Sequence, residues 1–248
     1  MVLNTIDRTG KVLDLFTAET PEWGVTAVAA RLQLPKSTTF DIMSSLAAIG
    51  LLQQTSGDRY RLGWRVLLFS RRLMSSTCFN AHTNRRVAAL SHQLSAVVTV
   101  GAWDGRGVVC ITNASADRTD PIVTRGVHIS GHTSALGKLL MAQLPWSTVE
   151  GLIDSNGLPR LTENSVVDVN ILHAQLISAR RDDVAIEHGE TIPGQSCIAV
   201  GIHQRDHRAI AALSISAPTE RLLNRREEYF RIARRTARSL AQNEVPPH

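Results

Sequence analysis

Residues 25–63 read VTAVAARLQLPKSTTFDIMSSLAAIGLLQQTSGDRYRLG, and the order of signals along this stretch decides how the first part of the chain folds. Apolar residues in Val25–Leu32 recur at a helical period, and Leu34-Pro35 then interrupts the run with a tight connection. Pro35 suits the start of another helix, because its ring nitrogen lacks the proton that would find no partner there. Phe40, Met43, Leu46 and Ala47 keep one face apolar as far as Ile49, and Gly50 ends the helix. Leu51–Thr55 and Arg59–Leu62 read as short strands joined by Ser56-Gly57-Asp58, a natural hairpin turn. Upstream, apolar residues at 3, 6, 12, 13 and 16 predict an amphipathic helix over Leu3–Phe16, closed by Pro21 and Gly24. Three helices followed by a hairpin is the order of a winged helix-turn-helix, expected over residues 1–63.

A helix starting at Lys36 sets Thr39, Met43 and Leu46 on one face and Ser37, Asp41, Ser44 and Ser45 on the other. Its exposed beginning then offers Lys36, Ser37, Thr38 and Asp41, short polar groups suited to phosphates and base edges when such an end enters a major groove. Ser37 and Thr38 are equally ordinary helix-start residues, so the DNA reading rests on the short turn before the helix and on a basic wing carrying Arg59 and Arg61. The candidate DNA contacts are Arg31, Lys36, Ser37, Thr38, Thr39, Asp41, Arg59 and Tyr60. Among them Asp41 is repelled by phosphates unless it accepts from a cytosine amino group or pairs with an arginine.

Composition sets outer bounds. Hydrophobic residues at 43% and charged residues at 20% of 248 fit a chain that buries a real core. No apolar run approaches the roughly 20 residues that span a bilayer, and no signal-peptide pattern opens the chain, so a cytoplasmic location is expected. Cys78, Cys110 and Cys197 are far apart and form no CxxC pair, which argues against a disulfide framework or a structural zinc. Lys and Arg outnumber Asp and Glu by 27 to 22, a balance that permits an anionic partner without demanding one. Seven arginines between Arg221 and Arg238 fall on a helical pattern and read as a solvated helix face.

Beyond Gly63, WRVLLFSRRLMSS predicts a helical linker over 64–77, followed by a helix over Phe79–Leu94 and a domain over 78–248. VVTVGAWD and GVVCITNA flank Gly105-Arg106-Gly107 as a hairpin. Helices are expected over Ser134–Gln143, Ser147–Asp154 and Asn164–Arg181, and strands over Ser196–His203 and Arg208–Ser216. Mixed strands and helices make this part α+β. With a turn centred between Arg205 and Asp206, antiparallel pairing sets Cys197 opposite Ser214 and Ala199 opposite Ala212. These four and Ser216 share one face, while Ile198, Val200, Leu213 and Ile215 share the other. The small face either admits a close-packed helix or leaves room for a ligand.

The 25–63 stretch resembles the DNA-binding domain of IclR-type regulators, which carries LPKST, a helix, a Gly-Leu step and a wing ending in YRLG. It departs from the family at Phe40-Asp41, where an aromatic or His is commonly followed by Arg. Farther on, GVHISGHTSALGKLLMAQLP (126–145) is similar to the family's loop and helix that cap an effector pocket. GQSCIAVGI (194–202) and AALSISAPTERL (211–222) are similar to its pocket-lining strands. The resemblance spans nearly the whole chain. It implies an α+β protein with an N-terminal winged helix-turn-helix, a linker helix and a GAF-like effector domain, acting as a repressor. Its partners would be a double-stranded DNA operator and a carboxylate metabolite, with no cofactor. Ser134, Ala135 and Leu136 would offer backbone amides to the effector, and Cys197, Ser214 and Ser216 would bind its polar groups. The chain departs again at Ile186-Glu187-His188, read here as an acidic loop before the pocket strand. A homodimer, or a dimer of dimers, is expected, since one such head buries little DNA surface and two copies read a near-palindrome.

Three other readings compete. A hydrolase would use Cys197 as nucleophile with His188 or His203 as base. A zinc site would join His128 and His132 to Cys110 or Cys197. A pure interaction protein would use the wing as a protein-binding surface.

Overall fold

The computed structural model describes residues 4–117, 126–203 and 209–242. It divides into two compact units, residues 1–76 and 77–248.

The first unit runs α1 (Asn4–Asp14), β1 (Glu22–Gly24), α2 (Val25–Leu32), α3 (Lys36–Ala48), β2 (Leu52–Gln54), β3 (Arg59–Leu62) and α4 (Arg65–Ser75). Gln33, in the left-handed region at φ 54°, ends α2 and aims the chain at α3. The core gathers Val12, Phe16, Val28, Ile42, Met43, Leu46, Leu52 and Tyr60. On α3 the buried set is Thr39, Ile42, Met43 and Leu46, spaced i, i+3, i+4 and i+7 as one helix face requires. Phe40, read as part of the apolar face, lies one residue off that stripe and is 52% exposed.

The wing is a three-stranded antiparallel sheet ordered β1-β3-β2, not a simple hairpin. Glu22–Gly24, read only as the end of the first helix, pairs with Arg59–Arg61, and Trp23 Nε1 donates to Leu15 O at 2.7 Å. Gly63 closes the wing because the backbone passes so near Gly50 that a Cβ there would lie 2.2 Å from the Gly50 carbonyl oxygen.

The second unit continues with α5 (Ala81–Leu94), β4 (Val97–Trp103), β5 (Val108–Ala114), β6 (His128–Ile129), α6 (Ala135–Met141), α7 (Trp146–Asn156), α8 (Val169–Asp182), β7 (Val184–His188), β8 (Gln195–His203), β9 (Ala209–Pro218), α9 (Thr219–Asn224) and α10 (Arg226–Ala241). The strands form one six-stranded antiparallel sheet ordered β6-β5-β4-β9-β8-β7. Ala185, Ala199 and Ala212 pack with Leu136, Leu139 and Leu140 of α6 and Leu172 and Leu176 of α8. Small residues on the sheet let α6 sit close. Ile198, Val200, Leu213 and Ile215 alternate to the other face and are fully buried. α10 packs on β8 and β9 through Tyr229, Ile232, Ala233, Thr236, Ala237 and Leu240, leaving Arg231, Arg234, Arg235 and Arg238 exposed.

Three readings change here. Cys197 pairs with Ser216, Ala199 with Ser214 and Gly201 with Ala212, two residues farther along β9 than the tight turn predicted. A β-bulge between Ile202 and His203 contributes part of that shift; the turn itself, residues 204–208, lies outside the described residues. Because the shift is even, every side chain keeps its predicted face. Ile186-Glu187-His188, read as a loop, is the body of β7 and pairs with Ser196–Ile198. Finally, α8 starts at Val169 rather than Asn164, since the Asp168 carboxylate accepts from the amides of Asn170 and Ile171 and caps it there. Among the described residues no helix is long and apolar enough to cross a membrane.

Candidate DNA-reading head and ligand cavity

In the first unit, Arg31, Lys36, Ser37, Asp41 and Arg59 are exposed and Thr38 is half-buried. A surface concavity brings Lys36, Ser37 and Phe40 of α3 beside Gln54, Gly57 and Arg59 of the wing. The wing is braced from below: Arg59 donates to Glu22 O at 2.7 Å and pairs with the Glu22 carboxylate at 3.6 Å. Two expected contacts fall away. Thr39 is fully buried and its Oγ1 donates to Pro35 O at 3.1 Å, so it faces the core. Tyr60 is 3% exposed and belongs to the same core. Both occupy positions whose spacing, on α3 and on the central strand β3, points them inward.

In the second unit a partly open cavity of about 90 Å³ lies between the sheet and the segments leading into and out of it. Antiparallel register builds its floor in rows. Glu187 on β7, Cys197 on β8, Ser216 on β9 and Val97 on β4 are successive partners across four strands, and Ala199, Ser214 and Thr99 form the next row. Ser134, Leu136, Ile129, Thr191 and Gln195 complete the walls. Of the residues expected to meet an effector, Ser134, Leu136, Cys197, Ser214 and Ser216 line this cavity. Ala135 does not: its side chain is fully buried in the core against the sheet, one helical step from the cavity side.

Ser134 has a structural task. Its hydroxyl donates to Ser130 O and accepts from the Gly137 amide at 2.9 Å, capping α6. Gly137 follows because a Cβ there would lie 2.2 Å from the Gly131 carbonyl oxygen.

Sequence reading missed Glu187, the one carboxyl group among the described residues that line the cavity. It is 3% exposed, and Oε2 accepts from the Glu190 amide at 2.8 Å. Burial, reinforced by the nearby Glu190 charge, pushes its carboxyl up to about 7; the Glu190 amide and Lys138 pull the other way. Behind it, Lys138 and Glu190 form a fully desolvated ion pair. Burial lowers the Lys138 ammonium and Glu190 opposes that shift. The signal available in the sequence was alternation: Val184 and Ile186 on one face, Ala185 and Glu187 on the other.

This geometry disfavours thiol chemistry. Burial pushes the Cys197 thiol up and the neighbouring Glu187 adds to the shift, whereas a nucleophilic cysteine needs the opposite. His188 lies 3.2 Å from Ser196 Oγ and His203 2.7 Å from Asp183; His188 sits in register with Ser196, on the face away from Cys197. The histidines considered for zinc are engaged elsewhere, His128 with Asp104 at 2.7 Å and His132 with Pro159 O at 3.0 Å. Among the described residues no group of three His, Cys, Asp or Glu could hold a metal ion.

A winged helix-turn-helix in one unit and a separate sheet domain with a partly open cavity in the other make the architecture of a DNA-binding regulator. Family models place it further: residues 5–56 match the IclR helix-turn-helix domain and residues 72–242 match the bacterial transcriptional regulator IclR C-terminal domain. The chain belongs to the IclR family of bacterial transcriptional regulators. It is similar to the HTH-type transcriptional regulator XynR of Escherichia coli, at 25% identity over 89% of this chain and 88% of that one. It is also similar to the HTH-type transcriptional repressor AllR of Klebsiella pneumoniae, at 28% identity over 88% and 81%. Its fold matches an IclR homolog from Microbacterium hydrocarbonoxydans complexed with 4-hydroxybenzoate, with a TM-score of 0.73, 21% identity and coverage of 97% and 98%. The protein is accordingly a transcription regulator and not an enzyme.

Proposed function

We propose that this chain is a repressor that holds its operator as a homodimer and releases it when a small carboxylate enters the cavity of the second unit. The observation that carries the reading is the cavity itself: a recess with the hydroxyls of Ser214, Ser216 and Thr99 together on its floor. Hydroxyl donors that converge on one point bind an anion more strongly than any of them alone. The repressor named among its relatives and the carboxylate bound by a protein of the same fold support the two halves of the reading. Lys36, Ser37, Thr38, Asp41, Arg31 and Arg59 meet the DNA, with the start of α3 in the major groove and the wing on the backbone. Reading chromosomal DNA places the work in the cytoplasm.

The dimer is argued from α4. None of its residues is buried, and Trp64 just before it with Leu67, Leu68, Phe69 and Leu73 on it are 43–71% exposed. So large an apolar surface beside a reading head fits a second copy of the chain, because a palindromic operator needs two heads held at fixed spacing.

The test is a thermal-shift screen of small carboxylates against the full chain, followed by operator binding with and without the hits. A ligand at 100 times its Kd adds about 2.7 kcal/mol to the folded state. A screen in which no carboxylate raises Tm would refute the effector reading. Failure to bind DNA upstream of its own or adjacent genes in a salt-dependent way would refute the regulatory one.

A further inference from the structure

The second unit carries 18 Lys and Arg against 16 Asp and Glu, a nearly neutral balance whose placement is uneven. Four of the cations, Arg231, Arg234, Arg235 and Arg238, stand exposed on one face of α10. Without these four, acids outnumber bases 16 to 14. The two ends of the helix also differ. Around its first turn Glu227 and Glu228 alternate with arginines, and Glu228 pairs with Arg225 at 2.7 Å, as an ordinary solvated face does. From Tyr229 to Gln242 the sequence has no acid. Arg231, Arg235 and Arg238 make no hydrogen bond or ion pair with any described residue, and Arg234 donates to the backbone oxygen of Asp182 at 3.2 Å. The acids that the row feels, Glu228 beside Arg231 and Asp182 beside Arg234, are already paired with Arg225 and Arg181.

Spacing of i, i+3, i+4 and i+7 sets every one of these arginines one turn from a like charge, and nothing within the unit relieves the repulsion. A polyanion lying along the row relieves all of it. Arg231 and Arg238 are about 10.5 Å apart along the helix axis, and the phosphates of one strand advance about 3.4 Å each along a duplex. The row therefore matches the edge of one strand over about three phosphates. Guanidinium groups donate to phosphate oxygens two at a time. A small anion would answer one or two of the arginines, whereas duplex DNA answers the whole row.

We infer that the arginine face of α10 is a second DNA-binding surface, which holds the phosphate backbone of duplex DNA outside the bases that the first unit reads. It rests on operator binding by the first unit and goes beyond it, since that reading gives every DNA contact to α2, α3 and the wing. Contacts of this kind add affinity and salt dependence without adding sequence preference. Tied to a head already seated on the same duplex, a weak surface acts at high effective concentration.

The test uses the full chain and two duplexes: the operator trimmed to the bases whose substitution changes affinity, and the same operator with random sequence added on both sides. Affinities are measured by fluorescence anisotropy across a series of KCl concentrations. The extended duplex is expected to bind ten-fold or more tightly at low salt, with a log-log salt slope steeper by about two to three. Arg231→Gln with Arg235→Gln and Arg238→Gln should remove both differences and leave affinity for the trimmed operator within about two-fold, which also reports on the fold. Lysine at the same three positions should restore most of the gain, because a backbone phosphate is read as charge. Equal binding of the two duplexes by the unaltered chain, or a gain that survives the glutamine substitutions, overturns the inference and leaves operator reading in place. A loss that lysine does not restore, or a change in sedimentation caused by the glutamines, assigns the face to a protein contact and overturns it as well. If the unaltered chain binds neither duplex, operator reading falls and this inference falls with it.

Discussion

At the residue scale, the decisive group is one whose burial runs against its chemistry. Glu187 has its carboxyl raised to about 7 in the folded protein against 4.5 for an ordinary glutamate. The folded state then binds more protons than the unfolded one between these values. Glu187 leaves stability intact below about pH 4.5, removes it progressively as pH rises to about 7, and costs a constant amount above that, on the order of 3 kcal/mol. His132 works in the opposite direction, since burial lowers its imidazole and stability falls as pH drops through its range. The difference between wild type and Glu187→Gln isolates the glutamate. We predict that Glu187→Gln raises Tm by several degrees at pH 8 and by little at pH 4.5, read by calorimetry or dichroism. A pH-independent difference would contradict the burial argument. Ser214→Ala with Ser216→Ala addresses ligand binding instead. Losing two hydroxyl donors to an anion, each worth about 1.5–3 kcal/mol, should weaken carboxylate affinity by 100-fold or more and leave operator affinity of the free protein within about two-fold, by calorimetry and gel shift.

At the element scale, what was legible followed periodicity and punctuation. The helices of the head declared themselves through apolar spacing, Pro35 and Gly50, and the small face of β8 and β9 through strict alternation. Elements without those signals stayed hidden. β1 is three residues long and exists because Trp23 reaches Leu15 and pairs with Tyr60, a tertiary cause with no local pattern. In β7 a buried glutamate stands where a core residue belongs, so the strand imitated a polar loop; the residue that disguised it is the one the cavity uses. The bulge at Ile202 leaves no trace in composition and accounts for part of a two-residue shift, so side chains were assigned to the right faces and the wrong partners. Two predictions belong to elements. Removing the polar start of α3 with Lys36→Ala and Ser37→Ala should weaken binding across operator sequences and lower the salt dependence by about one phosphate contact, with carboxylate binding unchanged. Phe69→Glu with Leu73→Glu, one turn apart on α4, leaves the fold intact because neither side chain is buried. It should shift sedimentation equilibrium toward monomer and cut operator affinity; an unchanged dimer would assign the second copy to another surface.

At the scale of the whole molecule, a ligand can release DNA only through a difference in its affinity for the DNA-bound and free states. That requirement binds both sites. If a carboxylate in the cavity weakens operator binding by some factor, the operator must weaken carboxylate binding by the same factor. For coupling of about 1–3 kcal/mol, typical of such systems, the factor is about 5 to 150. The measurement is a thermodynamic square: carboxylate affinity by calorimetry with and without saturating operator duplex, and operator affinity by fluorescence anisotropy with and without saturating carboxylate. We expect both ratios to exceed five and to agree within error. Glu187→Gln and the paired serine substitutions, which act at the cavity, should shift carboxylate affinity equally on both arms and so preserve the ratio unless the same side chains also transmit the change. A loss of coupling in Glu187→Gln at unchanged carboxylate affinity would identify β7, with Lys138 and Glu190 packed behind it, as the element whose position differs between the two states. Unequal ratios would mean that the carboxylate occupies more than one site.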